Sequence, residues 1–189
     1  MATIDASELK PGLKLLIDGQ PYIIIERQFV KPGKGAAFTR TKMKNLLTGR
    51  NIENNIRSGE KIELADIEEK AMSYLYKEGS DFVFMDIETY DQLHVPADTV
   101  GDGAKYLLEN QEAIVATHDG APLYVELPAS VELVITYTEP GLQGDRSTGG
   151  TKPATLETGA TINVPLFINE KDLLRIDTRT GEYCERVKG

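Results

Sequence analysis

Tyr22-Ile23-Ile24-Ile25-Glu26-Arg27-Gln28-Phe29-Val30, Lys31-Pro32-Gly33-Lys34-Gly35-Ala36 and Ala37-Phe38-Thr39-Arg40-Thr41-Lys42-Met43 follow one another without interruption. The first run is β-branched and aromatic, the last alternates residue types, and the middle one consists of turn formers, so together they predict a β-hairpin. Pro32 suits the second position of a type II turn and Gly33 the third, where φ is positive, which makes Lys34 the last residue of the turn. Small neighbours on both sides of Lys34 leave nothing to hold a partner away from it. Exposed loops of this composition are often plain connections. The strand behind this one argues for more. Arg40, Lys42 and Lys44 recur at every second residue, so an extended chain projects all three from one face in steps of about 6.6–6.8 Å. Loop and strand then form a basic surface suited to phosphates, which supply affinity through charge without any reading of sequence.

Working outward, Asp18-Gly19, Glu78-Gly79, Asp119-Gly120 and Thr180-Gly181 separate further runs that read as paired strands. Nine prolines and seventeen glycines in 189 residues favour many short strands, and 40% hydrophobic residues suffice for real cores. The expectation is an all-β chain. A single cysteine, Cys184, cannot form an intramolecular disulfide, and no apolar signal stretch follows Met1, so a cytoplasmic protein is expected. No run reaches the roughly 18 apolar residues of a membrane helix, so no membrane partner is expected.

The net charge of −9 hides an uneven distribution. Residues 1–64 carry 11 basic and 7 acidic groups (+4), residues 65–128 carry 3 and 14 (−11), and residues 129–189 carry 7 and 9 (−2). A polyanion would meet the first third and avoid the second. The charge step near residue 65 follows the polar Arg57-Ser58-Gly59-Glu60 turn, and Leu127-Pro128-Ala129-Ser130 marks a second break. Three domains are expected, 1–64, 65–128 and 129–189. Each is small enough to be a β-barrel, in which closure removes exposed strand edges. In the middle piece strands are expected at Met72–Lys77, Phe82–Asp86, Ala113–His118 and Leu123–Glu126, with a short helix over Ala104–Asn110. In the last piece they are expected at Val131–Tyr137, Thr161–Val164, Leu173–Asp177 and Tyr183–Val187. The polar stretch from Glu139 to Lys152 reads as a long loop, and such loops are often functional.

Familiar catalytic and cofactor patterns are missing. A Walker loop would need Gly at position 28 and Ser or Thr after Lys34, where this chain has Gln28 and Gly35. Gly101-Asp102-Gly103-Ala104-Lys105 lacks the third glycine of a dinucleotide fingerprint. One cysteine with His94 and His118 offers no zinc spacing, so no metal or cofactor is expected. Scattered acids such as Glu68, Glu69, Asp86 and Asp91 carry no geometric constraint that marks a catalytic pair. Lys34 at a wet loop tip is poorly placed to act as a low-pKa amine, but it suits modification by another enzyme.

Phe29-Val30-Lys31-Pro32-Gly33-Lys34-Gly35 with Ala37-Phe38, Lys152-Pro153-Ala154-Thr155-Leu156-Glu157-Thr158-Gly159 leading to Ile162-Asn163-Val164-Pro165-Leu166-Phe167-Ile168, and Asp177-Thr178-Arg179-Thr180-Gly181-Glu182-Tyr183 with Arg186 together resemble the bacterial elongation factor P family. The resemblance runs through the whole chain. One departure is Lys171, which stands where the family pattern has a turn glycine; Asn169 is expected to take over the left-handed conformation there.

The resemblance implies a KOW-like (SH3-like) N-terminal barrel followed by two OB-fold barrels in an L-shaped, tRNA-like body. It implies a non-enzymatic, monomeric factor that binds the 70S ribosome beside peptidyl-tRNA and relieves stalling at consecutive prolines. Lys34 would be extended with a β-lysyl group by a lysyl-tRNA-synthetase-like enzyme, while Lys31, Pro32, Gly33, Gly35, Arg40, Lys42 and Lys44 would meet tRNA or rRNA. Gly144 and Asp145 would lie at the mRNA, and Tyr183 and Arg186 would support ribosome contact or else serve strand packing. Three other readings stay open on the residues alone: a general RNA-binding barrel, an enzyme using Lys34 as nucleophile, and a protein-interaction scaffold.

Overall fold

The computed structural model describes residues 2–141 and 150–188. Their strands form three sheets. The first contains β1 (Thr3–Asp5), β2 (Lys14–Ile17), β3 (Gln20–Val30), β4 (Phe38–Asn45), β5 (Asn51–Arg57) and β6 (Lys61–Leu64), in the order β1-β6-β2-β3-β4-β5. The second contains β7 (Ile67–Glu78), β8 (Asp81–Asp86), β9 (Gln92–Pro96), β10 (Glu112–His118) and β11 (Ala121–Glu126), ordered β11-β10-β7-β8-β9. The third contains β12 (Ser130–Thr138), β13 (Thr151–Leu156), β14 (Thr161–Pro165), β15 (Leu173–Asp177) and β16 (Tyr183–Arg186), ordered β14-β13-β12-β15-β16. The all-β expectation holds.

Each sheet curls over its own apolar cluster, and period-two alternation decides which residues enter it. Leu15, Ile24, Met43 and Ile56 fill the first core. Met72, Phe82, Phe84, Val95 and Val115 fill the second. Val131, Leu133 and Ile135 of β12 meet Leu156, Val164, Leu174 and Ile176 in the third. The chain divides into two compact units, Met1–Glu69 with Ala116–Tyr124, and Lys70–Val115 with Val125–Gly189. In the first, the Glu69 carboxylate accepts hydrogen bonds from both Lys14 Nζ and Tyr124 Oη. In the second, Tyr106 leaves a 3₁₀ turn to join the core of the third sheet, and a Cβ at Gly181 would fall 2.2 Å from its hydroxyl.

One turn recurs in all three sheets. In Asn45-Leu46-Leu47-Thr48-Gly49, Asp86-Ile87-Glu88-Thr89-Tyr90 and Asp177-Thr178-Arg179-Thr180-Gly181 the first side chain accepts from the backbone N–H of the third and fourth residues. The fourth residue's hydroxyl accepts from the N–H of the residue after the turn. The fifth is left-handed, with φ of 71° at Gly49, 64° at Tyr90 and 73° at Gly181. These backbone bonds stabilise the ionised carboxylates, holding Asp86 and Asp177 below the usual carboxylate range. Glycine tolerates such a φ and tyrosine does not, so the middle turn is strained at Tyr90.

Local readings are corrected at four places. The helix expected over Ala104–Asn110 is a 3₁₀ helix at Gly101–Tyr106, preceded by a single α turn at Ala97–Val100. Gly101 and Gly103 disfavour a longer regular helix. Strand β9 was not expected, because His94 and Pro96 break its apolar pattern. Strand β13 begins inside the expected long loop, with Lys152, Ala154 and Leu156 turned inward and Lys152 Nζ donating to the Glu139 carbonyl at 2.6 Å. At the turn before β15, Lys171 itself is left-handed, with φ 71°, in place of Asn169. The reason is backbone pairing: the Lys171 N–H donates to the Ile135 carbonyl at 2.9 Å, while the Asn169 N–H is held by Asp172 Oδ2 at 2.8 Å.

Candidate functional site

Strands β3 and β4 pair from Tyr22↔Asn45 to Val30↔Phe38, which leaves a seven-residue connection, 31–37. At its far end the Ala37 carbonyl accepts from the Ser58 N–H at 3.1 Å. No hydrogen bond joins Lys31–Ala36 to any described residue. Lys31, Gly33, Lys34, Gly35 and Ala36 are exposed, and Pro32 is half-buried. The type II turn with positive φ at Gly33 is not formed. Gly35 has the positive φ instead, at 112°, because a seven-residue connection needs no four-residue reversal and the chain turns after Lys34. Gly33 serves openness: a Cβ there would meet nothing within 4 Å, and one at Gly35 would meet only Pro32 Cγ at 3.8 Å. The Lys34 side chain therefore stands clear on both flanks.

Behind the loop, β4 alternates as expected. Thr39, Thr41, Met43 and Asn45 point inward, and their polar groups are bonded: Thr39 Oγ1 to the Ala6 carbonyl at 3.3 Å and Thr41 Oγ1 to the Asn54 carbonyl at 3.1 Å. Arg40, Lys42 and Lys44 project from the opposite face. That face is not uniformly basic. Lys42 lies opposite Glu26 on β3 and Glu53 on β5, with 3.7 Å between Lys42 Nζ and Glu26 Oε1. A bulge between Ile24 and Glu26 places Glu26 there, because it shifts the parity of β3 by one residue. Strict alternation from Ile24 would turn Glu26 inward; the bulge turns it outward beside Lys42.

The remaining expected contacts belong to a later part of the sequence. Gly144 and Asp145 fall outside the described residues. Tyr183 pairs with Ile176 and packs against the third core, and Arg186 Nη1 is 3.6 Å from Asp172 Oδ2. Tyr183 also lines a polar cleft with Lys105, Thr151, Thr161 and Asn163, which sequence reasoning missed because the cleft needs β13 and β14 in register. The described residues include no cluster of His, Cys, Asp and Glu that could hold a metal, and no helix long and apolar enough to cross a membrane.

Three family models match the chain in sequence order: the elongation factor P KOW-like domain over residues 5–62, its OB domain over 67–125 and its C-terminal domain over 131–186. Proteins named elongation factor P from Acidothermus cellulolyticus and Frankia casuarinae are 61% and 58% identical over 187 residues, with 99% of each chain covered. The chain belongs to the elongation factor P family. It is a translation elongation factor, with a KOW-like first domain and an OB fold following it. Among solved structures, translation initiation factor 5A from Methanococcus jannaschii aligns with a TM-score of 0.54 at 25% identity, covering 66% of this chain and 93% of that one. A Naegleria fowleri protein of the same initiation factor family aligns at 0.54 and 20% identity, a likeness of fold. Within the elongation factor P pattern the tip loop lies in the KOW-like region and Tyr183 and Arg186 in the C-terminal one.

Proposed function

We propose that this elongation factor binds the ribosome beside peptidyl-tRNA and stimulates peptide-bond formation at consecutive prolines through Lys34, extended with a β-lysyl group by a lysyl-tRNA-synthetase-like enzyme. The observation that carries the reading is Lys34 itself: exposed, without a hydrogen bond to any described residue, and open on both sides at the end of a long hairpin. An amine so placed is accessible to a modifying enzyme and, once lengthened, reaches beyond the loop. Lys31, Arg40 and Lys44 supply positive charge to hold an RNA backbone along the same hairpin. Proline is a constrained, poor acceptor nucleophile, so a step that is slow for want of orientation gains from a factor that positions the peptidyl-tRNA without supplying an acid or base. Gly144 and Asp145 are assigned to the mRNA, and Tyr183 and Arg186 to ribosome contact; the packing of Tyr183 favours a structural share in its role.

The test is purified translation of a triple-proline message with modified protein, unmodified protein and the Lys34→Arg variant, after intact-mass analysis of protein from its native host. Arginine keeps the charge but lacks the primary amine that forms the amide with a β-lysyl group. The modified protein is expected to exceed both others by a wide margin. Equal activity of Lys34→Arg and modified protein would overturn the role of an extended lysine.

A further inference from the structure

Direct cross-strand neighbours share one face of a sheet, so the outer surface of β4 can be taken rung by rung. Arg40 lies between Gln28 and Asn55, and Lys44 between Ile23 and Asn51, all uncharged. Lys42 lies between Glu26 and Glu53. The three rungs thus carry formal charges of +1, −1 and +1. Lys14 stands beyond Ile23 on the Lys44 rung, but its ammonium is held by Glu69. Glu26, Arg40, Lys42 and Glu53 also line one shallow depression of about 220 Å³ with Arg27 and Gln28, so the opposed charges act on the same small volume. On the Lys42 rung itself a phosphate meets two carboxylates for one ammonium; the other cations of the depression are Arg40, one rung away, and Arg27, whose Nη2 donates to the Ser7 carbonyl at 3.0 Å.

We propose that Glu26 and Glu53 are specificity-determining residues of the RNA-facing strand: they cancel Lys42 and divide β4 into two separate phosphate sites, at Arg40 and Lys44, about 13 Å apart along the strand. The face accepts an RNA backbone whose phosphates meet those two points and repels one that sets a phosphate between them. Bulk polyanions are thereby disfavoured against the properly shaped partner. The inference rests on the RNA-facing role given to β4 above.

Binding of the full chain to bulk free tRNA and to ribosomes carrying peptidyl-tRNA, each across a potassium chloride series, tests it. Arg40→Ala and Lys44→Ala are each expected to flatten the slope of log K against log salt by about 0.7–0.9, the effect of one lost phosphate contact. Lys42→Ala is expected to flatten it by less than half as much. The double variant Glu26→Gln, Glu53→Gln keeps side-chain size and is expected to steepen the slope by the same increment. It is also expected to raise affinity for free tRNA by about sixfold at 0.1 M salt, and to narrow the preference for the ribosome. Lys42→Ala matching Arg40→Ala, or a double variant with unchanged slope and free-tRNA affinity, overturns the proposal while leaving the RNA-facing strand in place. Slopes unchanged by all three cation variants overturn the RNA-facing reading and the inference with it.

Discussion

Two side chains sit where the backbone asks for glycine. Tyr90 and Lys171 adopt φ of 64° and 71°, and a left-handed residue with a Cβ costs about 1–2 kcal/mol. Glycine would remove that strain but lose more chain entropy on folding, by about 0.4–1 kcal/mol. Tyr90→Gly and Lys171→Gly are therefore each expected to stabilise the fold by up to about 1 kcal/mol, read as a higher urea midpoint with unchanged slope. Tyr90 is 71% exposed, so little packing is lost with it. A lower midpoint in both variants would show that their side chains contribute more than the strain takes away. Lys34 gives the opposite case: Lys34→Ala is expected to change stability by less than about 0.5 kcal/mol, because its exposed side chain makes no hydrogen bond or ion pair with any described residue, while abolishing relief of proline stalling.

Among the elements, β2, β7 and β11 are joined through one carboxylate. Hydrogen bonds from Lys14 and then Tyr124 hold the Glu69 carboxyl below its usual value, against a smaller opposing effect of burial. A carboxyl whose pKa is lowered in the folded state stabilises that state above the unfolded value, and the stabilisation is lost as pH falls through the folded one. Wild type and Glu69→Gln are thus expected to differ in urea stability at pH 7 and to converge below about pH 4, the ordinary glutamate range. Both partners are partly exposed, so solvent screening keeps the difference small. Convergence on raising the pH instead would contradict the assignment. The hairpins themselves were legible in the sequence wherever Asp-Gly or its equivalent fixed a two-residue reversal, as at Asp18-Gly19 and Asp119-Gly120, where both residues have positive φ. Strand β13 was hidden by Pro153 and by the inward Lys152, whose ammonium is satisfied by a carbonyl that no sequence pattern announces. The recurring turn was hidden in its middle copy because Tyr90 replaces the expected glycine. The exposure of Lys34 was legible from its small neighbours, whereas the place of Glu26 beside Lys42 depends on a bulge that only the folded register reveals.

On the scale of the molecule, the second compact unit holds the third sheet and most of the second, and Tyr106 lies in the core of the third. Its ring fills space in the third core that Gly181 leaves open. Tyr106→Ala is expected to destabilise this unit by roughly 3 kcal/mol, by analogy with other large aromatic truncations. Hydrogen exchange is expected to quicken in β12 and β15, which build that core, while β3 and β4 in the other unit keep their protection. Uniform quickening throughout would mean that the two units unfold as one. The repeated turn, finally, bears on how the chain comes to be folded at all. A hairpin closes in about 1–10 μs, whereas synthesis adds only about 5–20 residues per second. The hairpins around Asn45 and Asp86 can thus form while the rest of the chain is still being made, each supplying a local nucleus for its own sheet. The copy at Asp177 is made last of the three, so β12 stays unpaired on its β15 side well after the other two hairpins have had time to close.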